Sequence, residues 1–149
     1  MIKFFIPGEP DTVTAQEKGI RIRRSRTGKH YPQHYDKPEV EAAKRRLAWQ
    51  VMDYKPFEPL TGPIELQIEW RFSLGSKPKK YAYKEKTTKP DLDNLCKGLM
   101  DVLNRSNFFI DDGQVCRLFL RKIWVPDSEA GIYISIRDIN QDPGGANND

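Results

Sequence analysis

The apolar positions along the chain follow a strand-like period in several segments. The most regular segment spans residues 64–72, where every second residue is apolar and the residues between are charged or polar. This period of two predicts a β-strand with one buried face and one solvated face. Shorter runs at residues 2–6, 115–124 and 131–137 predict further strands, the last with its isoleucines directed inward.

Two other segments repeat apolar residues at helical spacing. In residues 36–52 we expect a helix whose first turn is capped by Asp36. Its buried positions are Val40, Ala43, Leu47 and Val51. A second helix is predicted from Pro90 or Asp91 to about Arg105, with a buried stripe of Leu92, Leu95, Leu99, Val102 and Leu103.

The order of these elements is strand, helix, strand, helix, strand, strand, which predicts an α+β fold. One mixed β-sheet with the two helices packed on it is the simplest arrangement that buries every apolar face. We expect a single compact domain over residues 1–139 and a disordered tail over residues 140–149. Residues 8–36 are predicted to be irregular apart from a short ribbon within residues 19–31.

The composition is typical of a soluble globular protein, with 149 residues of which 31% are charged and 38% hydrophobic. No apolar run reaches the roughly 20 residues of a membrane span, and the N-terminus lacks the apolar core of a signal peptide, so we expect a cytoplasmic protein. Cys96 and Cys116 fall in a predicted helix and a predicted strand, where buried thiols are expected instead of a disulfide.

The net charge of +4 is modest, but the basic residues are concentrated in two stretches. Residues 18–31 hold six Lys or Arg residues and no acid, and residues 71–89 hold seven against a single Glu. Such stretches are either solvated surface loops or clamps for the phosphate backbone of nucleic acid. The candidate DNA contacts within them are Arg23, Arg24, Arg26, Lys79 and Lys80.

A cluster of acidic residues stands out against this basic background. Asp91 and Asp93 lie at the start of the second predicted helix, and Lys97 and Asp101 follow Asp93 at intervals of one turn. Acids gathered within a basic protein suit a metal-dependent enzyme that acts on a polyanion, because carboxylates hold the cation and basic residues hold the phosphates.

Asp111 and Asp112 precede the predicted strand at residues 115–124. A strand packed beside the helix can bring one of them to the helix N-terminus, and alternation does not say which. Carboxylates suit Mg²⁺, which prefers oxygen ligands, and a nearby lysine can stabilise charge on a phosphate. Helix capping, an exposed ion pair and a plain turn explain the same residues. His30 and His34 lie far from the acids in sequence, so we do not expect a zinc site.

The run Asp-Leu-Asp-Asn-Leu-Cys-Lys, which begins at Asp91, is followed at Asp111 by Asp-Asp-Gly-Gln-Val. Both runs and the distance between them resemble the RusA family of Holliday junction resolvases, small endonucleases frequent in bacteria and their prophages. The N-terminal Ile-Pro-Gly-Glu-Pro run at residues 6–10 matches this family more loosely. Residues 11–26 lack a clear form of the Asn-containing loop seen in some members.

This resemblance implies a dimeric α+β protein, a structure-specific endodeoxyribonuclease that makes paired nicks in four-way junction DNA during recombination and repair. The metal-binding carboxylates of the family fall on Asp91, Asp93 and Asp112, and its essential lysine falls on Lys97. Two further acids are supporting positions, Asp101 and Asp111. The resemblance also implies Mg²⁺ as cofactor, replaceable by Mn²⁺, a homodimer, and neither a membrane nor a small-molecule cofactor.

Two other functions remain open from the sequence. A non-catalytic protein that binds branched DNA needs the aspartates only as caps and ion-pair partners. A scaffolding protein, in contrast, has no DNA affinity that falls with salt. Phe108 and Phe109 are equally open, since they can wedge between bases at a junction or belong to the core or a dimer interface.

Overall fold

Six strands and two α-helices form the regular structure of residues 1–13 and 18–141, the part of the chain that this computed structural model describes. The helices are α1 (Pro38–Val51) and α2 (Leu92–Arg105). The strands are β1 (Ile2–Pro7), β2 (Lys18–Arg24), β3 (His30–Asp36), β4 (Ile64–Ser73), β5 (Val115–Val125) and β6 (Gly131–Asp138). Each predicted helix and strand is present with closely similar ends.

Four of the strands form one sheet in the order β1, β6, β4, β5. Strand β6 is antiparallel to both β1 and β4, whereas β4 and β5 are parallel, so the predicted mixed sheet is confirmed. Strands β2 and β3 form a separate antiparallel hairpin, which is longer than the expected ribbon. Because parallel strands cannot be joined by a tight turn, the chain between β4 and β5 crosses over the sheet and carries α2.

The core lies between the sheet and the two helices. Alternate residues of β4 are at most 2% exposed, namely Ile64, Leu66, Ile68, Trp70 and Phe72. They form one hydrophobic cluster with the buried stripe of α2 and with Val51 of α1. The opposite face of the sheet is polar, and Glu65 there accepts a hydrogen bond from Arg137 at 2.8 Å. The period of two in β4 thus separates a covered face from an open one.

The predicted cap of the first helix is wrong. The residue that precedes α1 is Lys37, and no side chain caps the helix. Asp36 instead accepts a hydrogen bond from the ammonium group of Lys44 at 2.8 Å. A charged donor two turns into α1 therefore engages the carboxylate that the sequence had assigned to the backbone.

Two of the side chains left open by the sequence belong to the core. Phe108 and Phe109 are 0% and 1% exposed, so neither ring is available as a wedge. Cys96 is buried as predicted, but the prediction for Cys116 is wrong, since it lies exposed on β5. The Cys116 thiol donates to the backbone carbonyl of Gln114 at 3.3 Å.

The basic segment between β4 and α2 follows the outer edge of β5. The backbone N–H of Tyr83 donates to the carbonyl of Trp124 at 2.7 Å, and the N–H of Trp124 donates to the carbonyl of Lys84 at 3.0 Å. The N–H of Lys86 donates to the carbonyl of Lys122 at 3.0 Å. These bonds fix the path by which the chain reaches α2.

The two ends of the chain add little to this picture. Within the described ranges, no helix is long and apolar enough to cross a membrane. Most of the predicted disordered tail, residues 142–149, lies outside the described residues, so the domain boundary at residue 139 stays a prediction.

Replacing Phe108 by Ala should lower the free energy of unfolding by about 3–5 kcal/mol, because a fully buried ring is removed and a cavity is left. Urea denaturation followed by circular dichroism measures this change. Phe57→Ala is the matched control, since the Phe57 side chain is 100% exposed, and its loss should cost no more than about 0.5 kcal/mol. Equal losses in the two variants would contradict the place of Phe108 in the core.

Candidate active site

Asp91 precedes α2 but does not cap it. Its backbone is extended, as expected of a residue that flanks a helix, yet its side chain makes no capping hydrogen bond. The carboxylate instead pairs with the ammonium group of Lys89 at 2.9 Å. Helix capping, one of the alternatives that the sequence left open, therefore does not account for Asp91.

An open cleft of about 260 Å³ lies between the exposed face of α2 and strand β5. Four of its lining residues come from α2, two from β5 and one from the turn before β5: Asp93, Cys96, Lys97, Met100, Leu118, Leu120 and Asp112. The structure thus brings together three of the four residues predicted to be catalytic, and it places an apolar wall beside them.

The two neighbouring aspartates before β5 are placed differently. Asp111 flanks a short 3₁₀ turn, Asp112–Gln114, and its carboxylate accepts a hydrogen bond from the backbone N–H of Gly113 as part of a capping box. Asp112, one residue further on, lines the cleft. Of the two, Asp112 is therefore the one whose side chain is available to the cleft, and Asp111 belongs to the turn.

Gln114 holds this turn against the rest of the domain. Its side-chain oxygen accepts hydrogen bonds from the backbone N–H groups of Ile110 and Asp111 at 2.8 and 2.9 Å. Its amide nitrogen donates to the carbonyls of Leu60 and Gly62 at 3.0 and 2.9 Å. One side chain therefore ties the segment before β5 to the segment before β4, and fixes the position from which the Asp112 side chain extends.

The charged side chains of the cleft have no hydrogen-bond or ion-pair partner in the part of the chain that the structure describes. Across residues 1–13 and 18–141, no hydrogen bond or ion pair engages the carboxylates of Asp93 and Asp112 or the ammonium group of Lys97. Asp93 and Lys97 lie one turn apart on α2 and could pair, but the exposed ion pair considered from the sequence is not formed. Three charged groups thus face the cleft ready to bind something else.

Cys96 contributes a neutral group to the cleft. Burial, with the nearby Asp93 carboxylate adding to it, raises the pKa of the Cys96 thiol to about 11. Because the thiolate is the form that attacks substrates and binds metals, Cys96 is inert at neutral pH. The chemistry of the cleft therefore rests on its oxygen ligands and its lysine.

The fit of the cleft to a metal depends on its carboxylates. In the described residues, no three His, Cys, Asp or Glu side chains form a group that could hold a metal. Asp93 and Asp112 line the cleft, and Asp91 is turned toward Lys89. Two free carboxylates nevertheless fit Mg²⁺, which is often held by one or two carboxylates together with water and substrate phosphates.

Asp101 lies on the side of α2 that faces α1. Its carboxylate pairs with the ammonium group of Lys44 at 2.8 Å and with the guanidinium group of Arg105 at 3.3 Å. Lys44 also pairs with Asp36, so one ammonium group joins the end of β3, α1 and α2. Asp101 was expected on the same helical face as Asp93, but the structure places it in this cluster and not on the cleft wall.

The five basic residues predicted to contact DNA are all exposed, namely Arg23, Arg24, Arg26, Lys79 and Lys80. Arg23 donates from its Nε to the side-chain oxygen of Gln33 at 2.7 Å, which orients its guanidinium group on the hairpin. Lys79 and Lys80 lie in a short turn of the basic segment. Three members of the same stretch are not free, because Arg71 pairs with Glu69, Lys89 pairs with Asp91 and Lys86 is buried.

Sequence reasoning missed the apolar wall of the cleft. Met100, Leu118 and Leu120 line it. In a linear sequence a residue that borders a cleft carries the same apolar signal as one in the core, so no pattern distinguishes them. The structural role of Gln114 did have a signal, since an acid followed three residues later by Gln is the capping-box pattern.

The chain is similar to known proteins along most of its length. The family model described as Endodeoxyribonuclease RusA matches residues 10–137. The chain is 32% identical, over 85% of its length and 89% of the relative, to the crossover junction endodeoxyribonuclease rusA of Lactococcus phage r1t. It is 29% identical, over 93% of its length and 97% of the relative, to the uncharacterized protein YqaN of Bacillus subtilis (strain 168).

The cluster around Lys44 should make stability depend on pH. Burial by itself would lower the pKa of Lys44, but the hydrogen bonds to Asp101 and Asp36 outweigh burial and raise it. The pKa of Asp36 is lowered below its ordinary value of 3.8, chiefly by the hydrogen bond from Lys44. The stabilisation by Asp36 is therefore present above that value and is lost as the pH falls through the lower pKa of the folded state.

Lys44→Met should accordingly lower the free energy of unfolding at pH 7 by about 1–3 kcal/mol, because a charged hydrogen-bond partner is removed. The difference from the wild type should shrink as the pH falls from about 5 to about 2. Urea denaturation at a series of pH values measures it, with Lys55→Met as an exposed control that should match the wild type throughout. A difference that stays constant with pH would contradict this role of Lys44.

Proposed function

Because this chain belongs to the RusA family of endodeoxyribonucleases, we propose that it resolves Holliday junctions by paired, Mg²⁺-dependent nicks during DNA recombination and repair. Family membership makes the chain an endodeoxyribonuclease. The four-way junction as substrate, the metal and a homodimeric assembly are inferred. The junction substrate is supported by the phage relative, whose name is that of a crossover junction endodeoxyribonuclease.

The observation that carries the proposal is the set of charged groups on the cleft that have no partner in the described residues. Several charges elsewhere are paired within the fold, as in Glu65 with Arg137 and Asp36 with Lys44, whereas the charges on the cleft converge on one opening. Because the carboxylates on the cleft do not pair with Lys97, they are available to a cation, and the lysine is available to a phosphate. In the described residues neither Asp93 nor Asp112 is an ion-pair partner, so that alternative does not account for them.

We propose that Asp93 and Asp112 hold Mg²⁺ on the cleft, together with Asp91, and that Mn²⁺ can take its place. When bound, the ion polarises a phosphoryl oxygen and lowers the pKa of a bound water. Asp91 would have to leave the ammonium group of Lys89 to take part, and both side chains are exposed enough to move. An exposed ion pair of this kind is worth little, so its loss is a small obstacle.

Lys97 would act on the substrate itself. Its ammonium group lies on the wall of the cleft with no carboxylate engaged. In that position it can stabilise the charge that develops on the scissile phosphate, or orient the attacking water. Asp101 and Asp111 do not share this position, and their proposed role is to support the site through α1 and through the turn before β5.

The DNA backbone would be held by the exposed basic residues. Arg23, Arg24 and Arg26 belong to the β2–β3 hairpin and its turn, and Lys79 and Lys80 belong to the segment along β5. Phosphate contacts of this kind fix the position of DNA without reading its sequence. A homodimer fits the proposal, because a two-fold protein presents one site to each of two opposing strands.

Replacing Asp93 or Asp112 by Asn, or Lys97 by Met, should lower the rate of junction cleavage at least about 100-fold, because each change removes a group that binds the metal or the phosphate charge. A labelled four-way junction and a linear duplex of the same sequence are incubated with each protein, with and without Mg²⁺. The wild type should cut only the junction, and only with Mg²⁺.

The matched control for this series is Asp53→Asn, the same chemical change at an exposed position outside the cleft. It should keep the cleavage rate of the wild type, and the cleft variants should still bind the junction. Tight binding without cleavage by the wild type, in Mg²⁺ and in Mn²⁺, would favour a non-catalytic protein for branched DNA.

Replacing both Lys79 and Lys80 by Ala should weaken junction binding and lower the slope of log affinity against log salt by about 2, because each phosphate contact contributes about 0.9. Fluorescence anisotropy without Mg²⁺ measures binding between 50 and 200 mM salt. The control replaces Lys3 and Lys55, which are exposed and lie outside both basic stretches. An equal slope in the two double variants would contradict direct contacts by Lys79 and Lys80.

A further inference from the structure

Lys86 is a buried lysine in the segment that leads into α2. It is only 7% exposed, and its ammonium group lies 5.2 Å from the ring centre of Phe72 and 4.5 Å from that of Trp124. The ammonium group donates to the hydroxyl of Thr88 at 2.6 Å and to the backbone carbonyls of Thr88 and Lys89. Its hydrogen-bonding capacity is therefore used almost entirely on the chain just ahead of α2.

Lys122 approaches the same segment from β5. Its ammonium group donates to the carbonyls of Thr88 and Pro90, both at 2.7 Å. Together the two lysines engage the carbonyls of the three residues directly before Asp91. In the part of the chain that the structure describes, neither ammonium group forms an ion pair with a carboxylate.

Holding an ammonium group in this position is costly. Burial lowers the pKa of Lys86, and the positive charges of Lys122 and Lys77 lower it further. A buried charge is tolerated only where hydrogen bonds replace its water. The carbonyls of residues 88–90 supply those bonds in the conformation that the structure shows, so the two lysines favour that conformation.

This conformation determines where the first turn of α2 begins. The carbonyl of Asp91 accepts the backbone hydrogen bond of Leu95 at 3.1 Å, at the start of the helix. Asp91 follows directly on the carbonyls that the lysines hold, and Asp93 follows two residues later. A shift of residues 88–90 would therefore be passed on to both carboxylates.

We propose that Lys86 and Lys122 are positioning residues that set the first turn of α2, and with it Asp91 and Asp93, for metal binding. This inference rests on the proposed function, in which those two carboxylates hold Mg²⁺. The lysines act through backbone carbonyls, and neither of them lines the cleft. Outer-shell partners of metal ligands commonly change metal affinity by 10- to 100-fold when they are removed.

The test uses Lys122→Met, which keeps the aliphatic stem and removes the two hydrogen bonds. Lys77→Met is the matched control, because the Lys77 ammonium group also lies against the Trp124 ring, at 4.4 Å, and the same unit of charge is lost. Hydrogen exchange of the Leu95 amide, whose bond to the Asp91 carbonyl closes the first turn of α2, is measured in the metal-free proteins. Exchange should be about tenfold faster in Lys122→Met than in the wild type, and unchanged in Lys77→Met.

Affinity for Mg²⁺ alone, measured by calorimetric titration without DNA, should fall about tenfold or more in Lys122→Met. Lys122→Arg, which can still donate to two carbonyls, should recover most of this affinity. Lys77→Met, which loses the same unit of charge, should keep the Mg²⁺ affinity of the wild type. Lys86→Met, tested in the same way, should reproduce the effect where it folds, as judged by its thermal unfolding.

Unchanged exchange and unchanged metal affinity in Lys122→Met would overturn the positioning role. An equal loss in Lys122→Met and Lys77→Met would overturn it as well, since the effect would then follow from charge. A wild-type protein that binds no Mg²⁺ and cuts no junction would overturn the proposed function itself, and this is visible before any variant is compared.

Discussion

The parallel pairing of β4 with β5 is the constraint on which the rest of the structure depends. An antiparallel partner could follow β4 after a short turn, but a parallel partner requires the chain to return to the opposite end of the sheet. The returning segment contains the basic loop, α2 and the turn before β5. Asp91, Asp93, Lys97 and Asp112 all lie on this one crossover, so the topology of the sheet gathers them without a contribution from the termini.

A crossover of this length needs to be fixed at both of its ends. Lys86 and Lys122 hold the backbone before α2, and Gln114 holds the turn before β5. In each place a polar side chain binds backbone carbonyls, which sets the position of the segment as well as contributing stability. The buried stripe of α2 holds the middle of the crossover against the sheet. The crossover that carries the cleft residues is therefore held at its two ends by polar side chains and in its middle by apolar packing.

The sequence predicted most of the fold because its strongest signals are periodic. Strand β4 alternates over its full length, and the buried stripe of α2 repeats at helical spacing, so both follow from local patterns. The predictions that failed concern single side chains, namely Cys116 and the charged residues Asp36 and Asp101. Asp36 and Asp101 both pair with Lys44, and that choice depends on which elements pack together, which no local pattern contains.

The same distinction applies to the candidate site. The acids and the lysine could be chosen from residue types and family resemblance, but the difference between Asp111 and Asp112 required the turn in which Asp111 caps Gly113. Lys86 shows the limit most clearly. In the sequence it is one of seven basic residues in a stretch that suggests DNA contacts, and the structure buries it between two aromatic rings.

Charge in this protein therefore has two uses that composition cannot separate. Where a carboxylate and a cation meet inside the fold, as in Glu65 with Arg137, the fold itself engages the carboxylate. Lys86 and Lys122 instead direct their protons to carbonyls, so their positive charge is not cancelled by an acid. The two ammonium groups thus hold the backbone ahead of α2 and leave the carboxylates of the cleft unengaged. In the described residues Asp93 and Asp112 have no partner, so their oxygens are available to a cation.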